Sequence, residues 1–159
     1  VDFSDIYYYA IHGVMVRKGD YDKYTTAQAL KDARLSAQKG TIQVEIAKSQ
    51  ILGVADEDLE KSHPQVKEVG TVKNLVLDLK NNKVDAIIAE LPVAQAYVNR
   101  NADLALALPT FPDEDGGAAI AVKKGNDAFV QHINKTLARL ISAGLIDSFV
   151  AEANDQVEN

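Results

Sequence analysis

Short apolar runs alternate along the chain with polar segments of helical spacing, and one junction between the two patterns stands out. Residues 84–89 form an apolar run with β-branched side chains, which predicts a buried strand. Residues 91–99 predict a helix, with Pro92 in its first turn, where a missing N–H has no cost. Glu90 therefore follows a strand and precedes a helix. Ligands bind at this edge of open α/β sheets, so its carboxylate either anchors a ligand or accepts from nearby backbone N–H groups.

The remaining pattern extends this alternation over most of the chain. Because strands and helices alternate between residues 34 and 108, we expect an α/β domain with a mainly parallel sheet flanked by helices. The predicted strands are 13–17, 34–38, 66–69, 104–108 and 118–122, and the predicted helices are 25–33, 44–51, 72–80, 127–143 and 145–153.

A second junction lies at Gly40 and Thr41, between the strand at 34–38 and the next amphipathic segment. Threonine is a good capping residue, and the first N–H groups of a helix, at the positive end of its dipole, form an anion site. The alternative is that Thr41 caps its own helix and binds nothing. One glycine and one threonine do not decide between these two readings.

The two junctions together suggest one kind of ligand. If their strands are neighbours, an anion acceptor and a cation acceptor face one crevice, which suits the carboxylate and ammonium of an amino acid. Thr41 and the N–H groups of Ile42 and Gln43 would bind the carboxylate, and Glu90 would bind the ammonium through charge-assisted hydrogen bonds. A phosphate site, or a Glu–Thr pair that satisfies itself, would give the same pattern.

Composition narrows the classes of function. The chain has 159 residues and a net charge of −6, which argues against a nucleic-acid partner. Without cysteine there are no disulfides, zinc–thiolate sites or thiol nucleophiles. His12, His63 and His132 are isolated, so we expect packing or surface roles and no metal site. The acidic run at 113–115 lacks the spacing of a calcium loop and predicts a solvated turn. No cofactor motif is present.

Four blocks of sequence carry a family resemblance. They are VDFSDIYY at 1–8, QKGTIQ at 38–43, VDAIIAELP at 84–92 and AIAVKKGN at 119–126, followed by a closing helix and Gly144. In this order they resemble bacterial extracellular solute-binding proteins of the polar amino-acid family. The resemblance covers essentially the whole chain. It implies a periplasmic-binding-protein-like fold whose two lobes close around an amino acid, which is delivered to an ABC-type permease outside the cytoplasm by a lipid-anchored or permease-fused protein.

The resemblance also implies site residues. The turn at Thr41, Ile42 and Gln43 would receive the carboxylate, Glu90 the ammonium, and Gln38 would face the ligand side chain. The family usually has Asp where this chain has Glu90. An enzyme of the dehydratase type, using Glu90 as a general acid or base, and the effector domain of a regulator or sensor are alternatives on the same scaffold.

The resemblance implies an order of lobes as well. Residues 1–12 would end the first lobe and form the first hinge, 13–123 would form the second lobe, and 124–159 would return to the first lobe. In the family, the arginine that clamps the carboxylate and the aromatic residues that sandwich the side chain precede the block with which this chain begins. We therefore expect a fragment. Its apolar stripe of Phe129, Ile133 and Leu137 would need cover from the second lobe, a partner chain or a swapped copy, so a dimer is possible.

Overall fold

The chain divides into two compact units. The computed structural model describes the backbone of residues 1–113 and 117–156 and, within those ranges, side chains up to residue 153. Glu114 and Asp115 of the predicted acidic turn therefore lie outside the described residues. One unit comprises Ile11–Phe111, and the other joins Val1–Ala10 to the chain from Pro112 onwards. The larger unit ends at Phe111, before the expected boundary at 123, because residues 121–122 pair with residues 2–3 of the smaller unit.

Between residues 34 and 108 the secondary structure follows the predicted alternation of strands and helices. The strands in chain order are β1 (Asp2–Phe3), β2 (Ile11–Arg17), β3 (Leu35–Gln38), β4 (Val66–Val69), β5 (Ala86–Glu90), β6 (Leu104–Leu106), β7 (Phe111–Pro112) and β8 (Ala121–Val122). The helices are α1 (Ile42–Ile46), α2 (Val72–Lys80), α3 (Leu91–Arg100), α4 (Asp127–Ser142) and α5 (Leu145–Gln156). A π-helical turn, Ala47–Ile51, continues α1, and a short 3₁₀ turn covers Asp56–Asp58.

The sheet of the larger unit has the strand order β4-β3-β5-β2-β6, and β7 also pairs with β2. Strand β3 is parallel to both β4 and β5. Strand β2 is antiparallel to both β5 and β6, so β3, β4, β5 and β6 all point the same way. The predicted mainly parallel sheet flanked by helices is therefore confirmed, and the carboxyl ends of β3 and β5 lie at one edge.

The central strands are buried on both faces of the sheet, so a core layer lies on each side of it. Successive side chains of a strand point to opposite faces, so Val14 and Val16 join one layer while Met15 joins the other. The side chains of β5 alternate between the two layers in the same way. The first layer also contains Leu30, Leu35, Ala37, Val44, Ile46, Ile51, Ala86 and Ile88, and the second contains Leu75, Val76, Leu79, Ile87, Ala89, Ala94 and Leu104.

The predicted helix at 25–33 is wrong in type. The chain forms one 3₁₀ turn there, Gln28–Asp32, and another just before it, Lys18–Lys23. The N-cap position of the Gln28–Asp32 turn is Ala27, and Thr26 Oγ1, one residue before it, accepts from the N–H of Ala29 over 3.3 Å. Only Leu30 of that turn is buried, and a single apolar anchor is too little to stabilise a longer amphipathic helix.

The smaller unit pairs β1 with β8 in antiparallel register and adds α4 and α5. Asp5 donates its N–H to Asn134 Oδ1 over 2.9 Å, which ties the N-terminal segment to α4. Leu137 of the predicted apolar stripe is buried, whereas Phe129 is 53% exposed. What covers this face of α4 stays a prediction.

Candidate functional site

Glu90 ends β5 and immediately precedes α3, so the predicted junction is confirmed, with Pro92 in the first turn. Its backbone is extended (φ −55°, ψ 139°), as an N-cap residue requires, yet its side chain does not cap the helix. Among the described residues, the half-buried carboxylate of Glu90 makes no hydrogen bond. The alternative that this carboxylate accepts hydrogen bonds from nearby backbone N–H groups is therefore not supported.

Thr41 occupies the N-cap position of α1 but uses its hydroxyl differently. Its backbone is extended (φ −115°, ψ 157°), and the hydroxyl donates to the carbonyl of Gln38 over 2.7 Å. The alternative that Thr41 caps its own helix through its side chain is wrong. Within the described part of the chain, the N–H groups of Ile42 and Gln43 have no acceptor, whereas Val44 donates to the Thr41 carbonyl over 3.1 Å.

The two junctions meet at one cavity of about 150 Å³. It lies at the carboxyl ends of β3 and β5, where α1, α2 and α3 begin. Four of the five predicted site residues line it, namely Gln38, Thr41, Gln43 and Glu90, together with Val72, Leu75, Ile88, Ala89 and Val93. The fifth, Ile42, lines a neighbouring cavity of about 400 Å³ that also borders Thr41, and it is 39% exposed.

The cavity combines partial positive charge with one formal negative charge. The beginnings of α1, α2 and α3 carry the positive ends of their helix dipoles, which favour an anion. Thr71 already satisfies one N–H of α2, because its Oγ1 accepts from Asn74 over 3.3 Å. Glu90 supplies the negative charge. The described residues contain no hydrogen bond between Glu90 and Thr41, so a pair that satisfies itself is not formed.

The two glutamines of the site direct their side-chain amides to protein groups. Gln38 Nε2 donates to the carbonyl of Gly70 over 3.2 Å. Gln43 is buried, and its Nε2 lies 3.2 Å from Nδ1 of His12. The backbone N–H of Gln43 has no acceptor among the described residues, whereas its side-chain amide nitrogen lies against His12.

Sequence reasoning missed His12 as a neighbour of the site. It is fully buried on β2, directly opposite Glu90 in the antiparallel register. The alternation of β2, which places His12 on the same face as Val14 and Val16, is the signal that could have identified it. Its burial fits the packing role expected for the histidines.

Two further features concern metals and membranes. The described residues include no group of three histidine or acidic side chains that could hold a metal ion. Their helices also include none whose length and hydropathy would allow it to cross a membrane.

Comparison with known proteins gives a consistent result across most of the chain. No family model matches. The chain is 31% identical to the arginine-binding extracellular protein ArtP of Bacillus subtilis over 153 residues, which cover 92% of this chain and 54% of that protein. It is 28% identical to the ABC transporter arginine-binding protein 1 of Escherichia coli, covering 91% of this chain and 55% of that protein. The chain thus spans about half the length of the curated relatives it matches, and these relatives are named as binding proteins, not enzymes.

Two solved structures similar to this chain belong to the same class of protein as these relatives. An amino acid ABC transporter substrate-binding protein of Streptococcus pneumoniae, bound to L-arginine, superposes with a TM-score of 0.75 at 32% identity, covering 97% of this chain and 61% of that one. An ancestral arginine-binding protein bound to glutamine gives 0.69 at 30% identity, covering 96% of this chain and 63% of that one. Over most of its length the chain is thus similar to amino-acid-binding proteins of ABC transporters, and it has their periplasmic-binding-protein-like fold, which confirms the resemblance predicted from its sequence blocks.

Proposed function

We propose that this chain binds the α-carboxylate and α-ammonium groups of a polar amino acid and, outside the cytoplasmic membrane, contributes to its delivery to an ABC-type permease. The observation that carries the proposal is the cavity lined by Thr41, Gln43 and Glu90, where the backbone N–H of Gln43 has no acceptor among the described residues. The N–H of Ile42, which lines the neighbouring cavity that also borders Thr41, has none either. A carboxylate satisfies such N–H groups, and an ammonium pairs with the carboxylate of Glu90.

Each proposed contact has a distinct chemical role. The N–H groups of Ile42 and Gln43 donate to the ligand carboxylate. The hydroxyl of Thr41, which donates to the Gln38 carbonyl in this structure, turns to add a third donor. Glu90 accepts from the ligand ammonium. Gln38 lines the same cavity and contacts the ligand beyond its α-carbon.

The ligand class we favour is a basic amino acid. Two curated relatives are named for arginine, and a structural neighbour was solved with L-arginine bound. The net charge of −6 also attracts a cationic ligand over long range. Histidine and glutamine, named for other relatives, are the next amino acids to test.

Isothermal titration calorimetry with a panel of ligands tests the proposal. L-Arginine, L-histidine, L-glutamine and L-glutamate are titrated, with D-arginine and agmatine as controls. Agmatine has the arginine side chain and amine without the carboxylate, so it should bind much more weakly than L-arginine. Absence of heat with every amino acid would contradict the proposal, and saturable binding of inorganic phosphate alone would favour the phosphate alternative.

A further inference from the structure

A buried contact links β2 to the beginning of α1. Gln43 Nε2 lies 3.2 Å from Nδ1 of His12, and neither residue has appreciable exposure. The amide Nε2 can only donate, so in this contact Nδ1 accepts, which corresponds to the imidazole tautomer with its hydrogen on Nε2. Gln43 is also one of the two residues whose backbone N–H is proposed to bind the ligand carboxylate. The contact therefore restrains Gln43, whose backbone forms part of the proposed site.

The same histidine is the cross-strand neighbour of Glu90. Strands β2 and β5 are antiparallel, and their register pairs His12 with Glu90. Directly opposite residues of such a pair project from one face with Cβ atoms about 4.5–5.5 Å apart. The core layers agree with this placement, since Val14 and Ile88, each two residues away along its strand, pack in the same layer.

We propose that His12 is a positioning residue that holds the two halves of the amino-acid site in a fixed relation. This inference rests on the proposed function. Through Gln43 the imidazole sets the orientation of the first N–H groups of α1, and beside Glu90 its ring limits where the carboxylate can lie. A site made of two separate loops needs such support, since a misplacement of about 1 Å weakens every contact at once.

A purely structural role makes a different prediction. If the contact between His12 and Gln43 only packs the core, its removal lowers the stability of the chain and leaves the affinity of the folded fraction unchanged. The substitution His12→Phe keeps a buried ring but removes the acceptor, and Gln43→Leu removes the donor. In His12→Asn, the side-chain oxygen can accept near the position of Nδ1, so this variant should restore the link.

The experiment is calorimetry with L-arginine, accompanied by thermal unfolding of each variant. We expect His12→Phe and Gln43→Leu to bind about tenfold more weakly than the parent chain, the usual effect of losing an orienting hydrogen bond. Combining the two should add little to either alone, since both remove one link. His12→Asn should retain most of the affinity. The matched control is His132→Phe, since His132 is exposed on α4, and it should bind like the parent.

The outcomes separate this inference from the proposed function. Unchanged affinity in His12→Phe and Gln43→Leu, with a parent chain that binds L-arginine, overturns the positioning role alone. A parent chain that binds no amino acid overturns the proposed function. In that case, the backbone amide signals of Ile42 and Gln43 in ¹H–¹⁵N spectra still test the link, because they should move in His12→Phe and not in His132→Phe. If His12→Phe does not fold, His12→Asn and Gln43→Leu carry the same comparison.

Discussion

Thr41 donates its hydroxyl to the carbonyl of Gln38 over 2.7 Å instead of capping the helix that it precedes. The hydrogen bond closes the turn between β3 and α1, and it leaves the first N–H groups of α1 available to a ligand. The hydroxyl that holds the turn together can rotate from the Gln38 carbonyl to a ligand oxygen. This arrangement is what the proposed carboxylate site requires.

Thr41→Val removes the hydroxyl and keeps the shape of the side chain. We expect L-arginine to bind about tenfold more weakly and the free energy of unfolding to fall by about 1 kcal/mol, the typical contribution of one hydrogen bond. Calorimetry and urea unfolding measure the two effects. Thr26→Val is the matched control, because Thr26 also makes a local hydrogen bond, to the N–H of Ala29, outside the cavity. Equal loss of affinity in both variants would contradict the assignment of Thr41.

Glu90→Gln replaces the carboxylate by an amide of the same size. The contact with the ligand ammonium then loses its charge assistance, and we expect affinity for L-arginine to fall roughly 10- to 100-fold. Calorimetry at low and high salt provides the measurement. Glu57→Gln changes the net charge equally at an exposed position outside the cavity, so it controls for long-range attraction. If the two variants bind alike, Glu90 does not contact the ammonium.

A cluster of charged side chains lies at the opposite edge of the sheet, where β3 and β5 begin. We expect this cluster to stabilise the larger unit. Asp85 accepts from Arg17 Nη2 over 3.0 Å, from Arg34 Nε and Nη2 over 2.8 and 2.7 Å, and from the backbone N–H of Arg34 over 3.0 Å. Arg17 also donates to the carbonyls of Leu79 and Val84. These contacts join the ends of β2 and α2 to the beginnings of β3 and β5.

Asp85→Asn should therefore destabilise the chain by about 2–3 kcal/mol, because several charge-assisted hydrogen bonds are weakened together. Urea unfolding measures the change. Asp103→Asn is the control, since Asp103 is 60% exposed and its ion pair with Lys80 lies at the surface. That variant should lose less than about 1 kcal/mol. A similar loss of unfolding free energy in the two variants would show that the Asp85 cluster stabilises the chain no more than a surface ion pair does.

The Asp85 cluster also makes stability depend on pH. The side-chain hydrogen bonds from Arg34 are the largest cause that holds the pKa of Asp85 well below its ordinary value, with further lowering from the Arg34 backbone N–H and from Arg17. Because the folded-state pKa of Asp85 lies below the unfolded one, the stabilisation is fully present above the unfolded value of about 3.9. It begins to fall once the pH drops below that value, and it is lost completely only as the pH falls through the lower folded-state pKa. Between about pH 6 and pH 3, the free energy of unfolding should therefore fall more steeply in the parent chain than in Asp85→Asn. Parallel curves from unfolding measured over this range would contradict the assignment.

The sequence predicted most of the architecture because the larger unit is built from strongly patterned elements. The helix at 72–80 has the predicted bounds, since Thr71 caps it and Leu75 and Leu79 are fully buried on one side. The strand predicted at 84–89 instead begins at Ala86. The carbonyl of Val84 accepts from Arg17 Nη1 over 2.6 Å, a contact from a distant residue that local pattern does not reveal.

The site was predictable in outline and not in its internal hydrogen bonds. Two strand-to-helix junctions in a parallel sheet must share an edge, so the positions of Thr41 and Glu90 follow from pattern and topology. The donation from Thr41 to Gln38 depends on the conformation of the turn, and the contact between Gln43 and His12 joins residues on different elements. Neither is encoded by spacing along the chain.

A titration of the ¹⁵N-labelled chain with L-arginine tests the central claim most directly, since it reports on both halves of the site at once. The account predicts that the backbone amide signals of Ile42, Gln43 and Glu90 move together and saturate with one Kd, while agmatine leaves those of Ile42 and Gln43 in place. Movement confined to other residues, or equal shifts of Ile42 and Gln43 with agmatine, would contradict it.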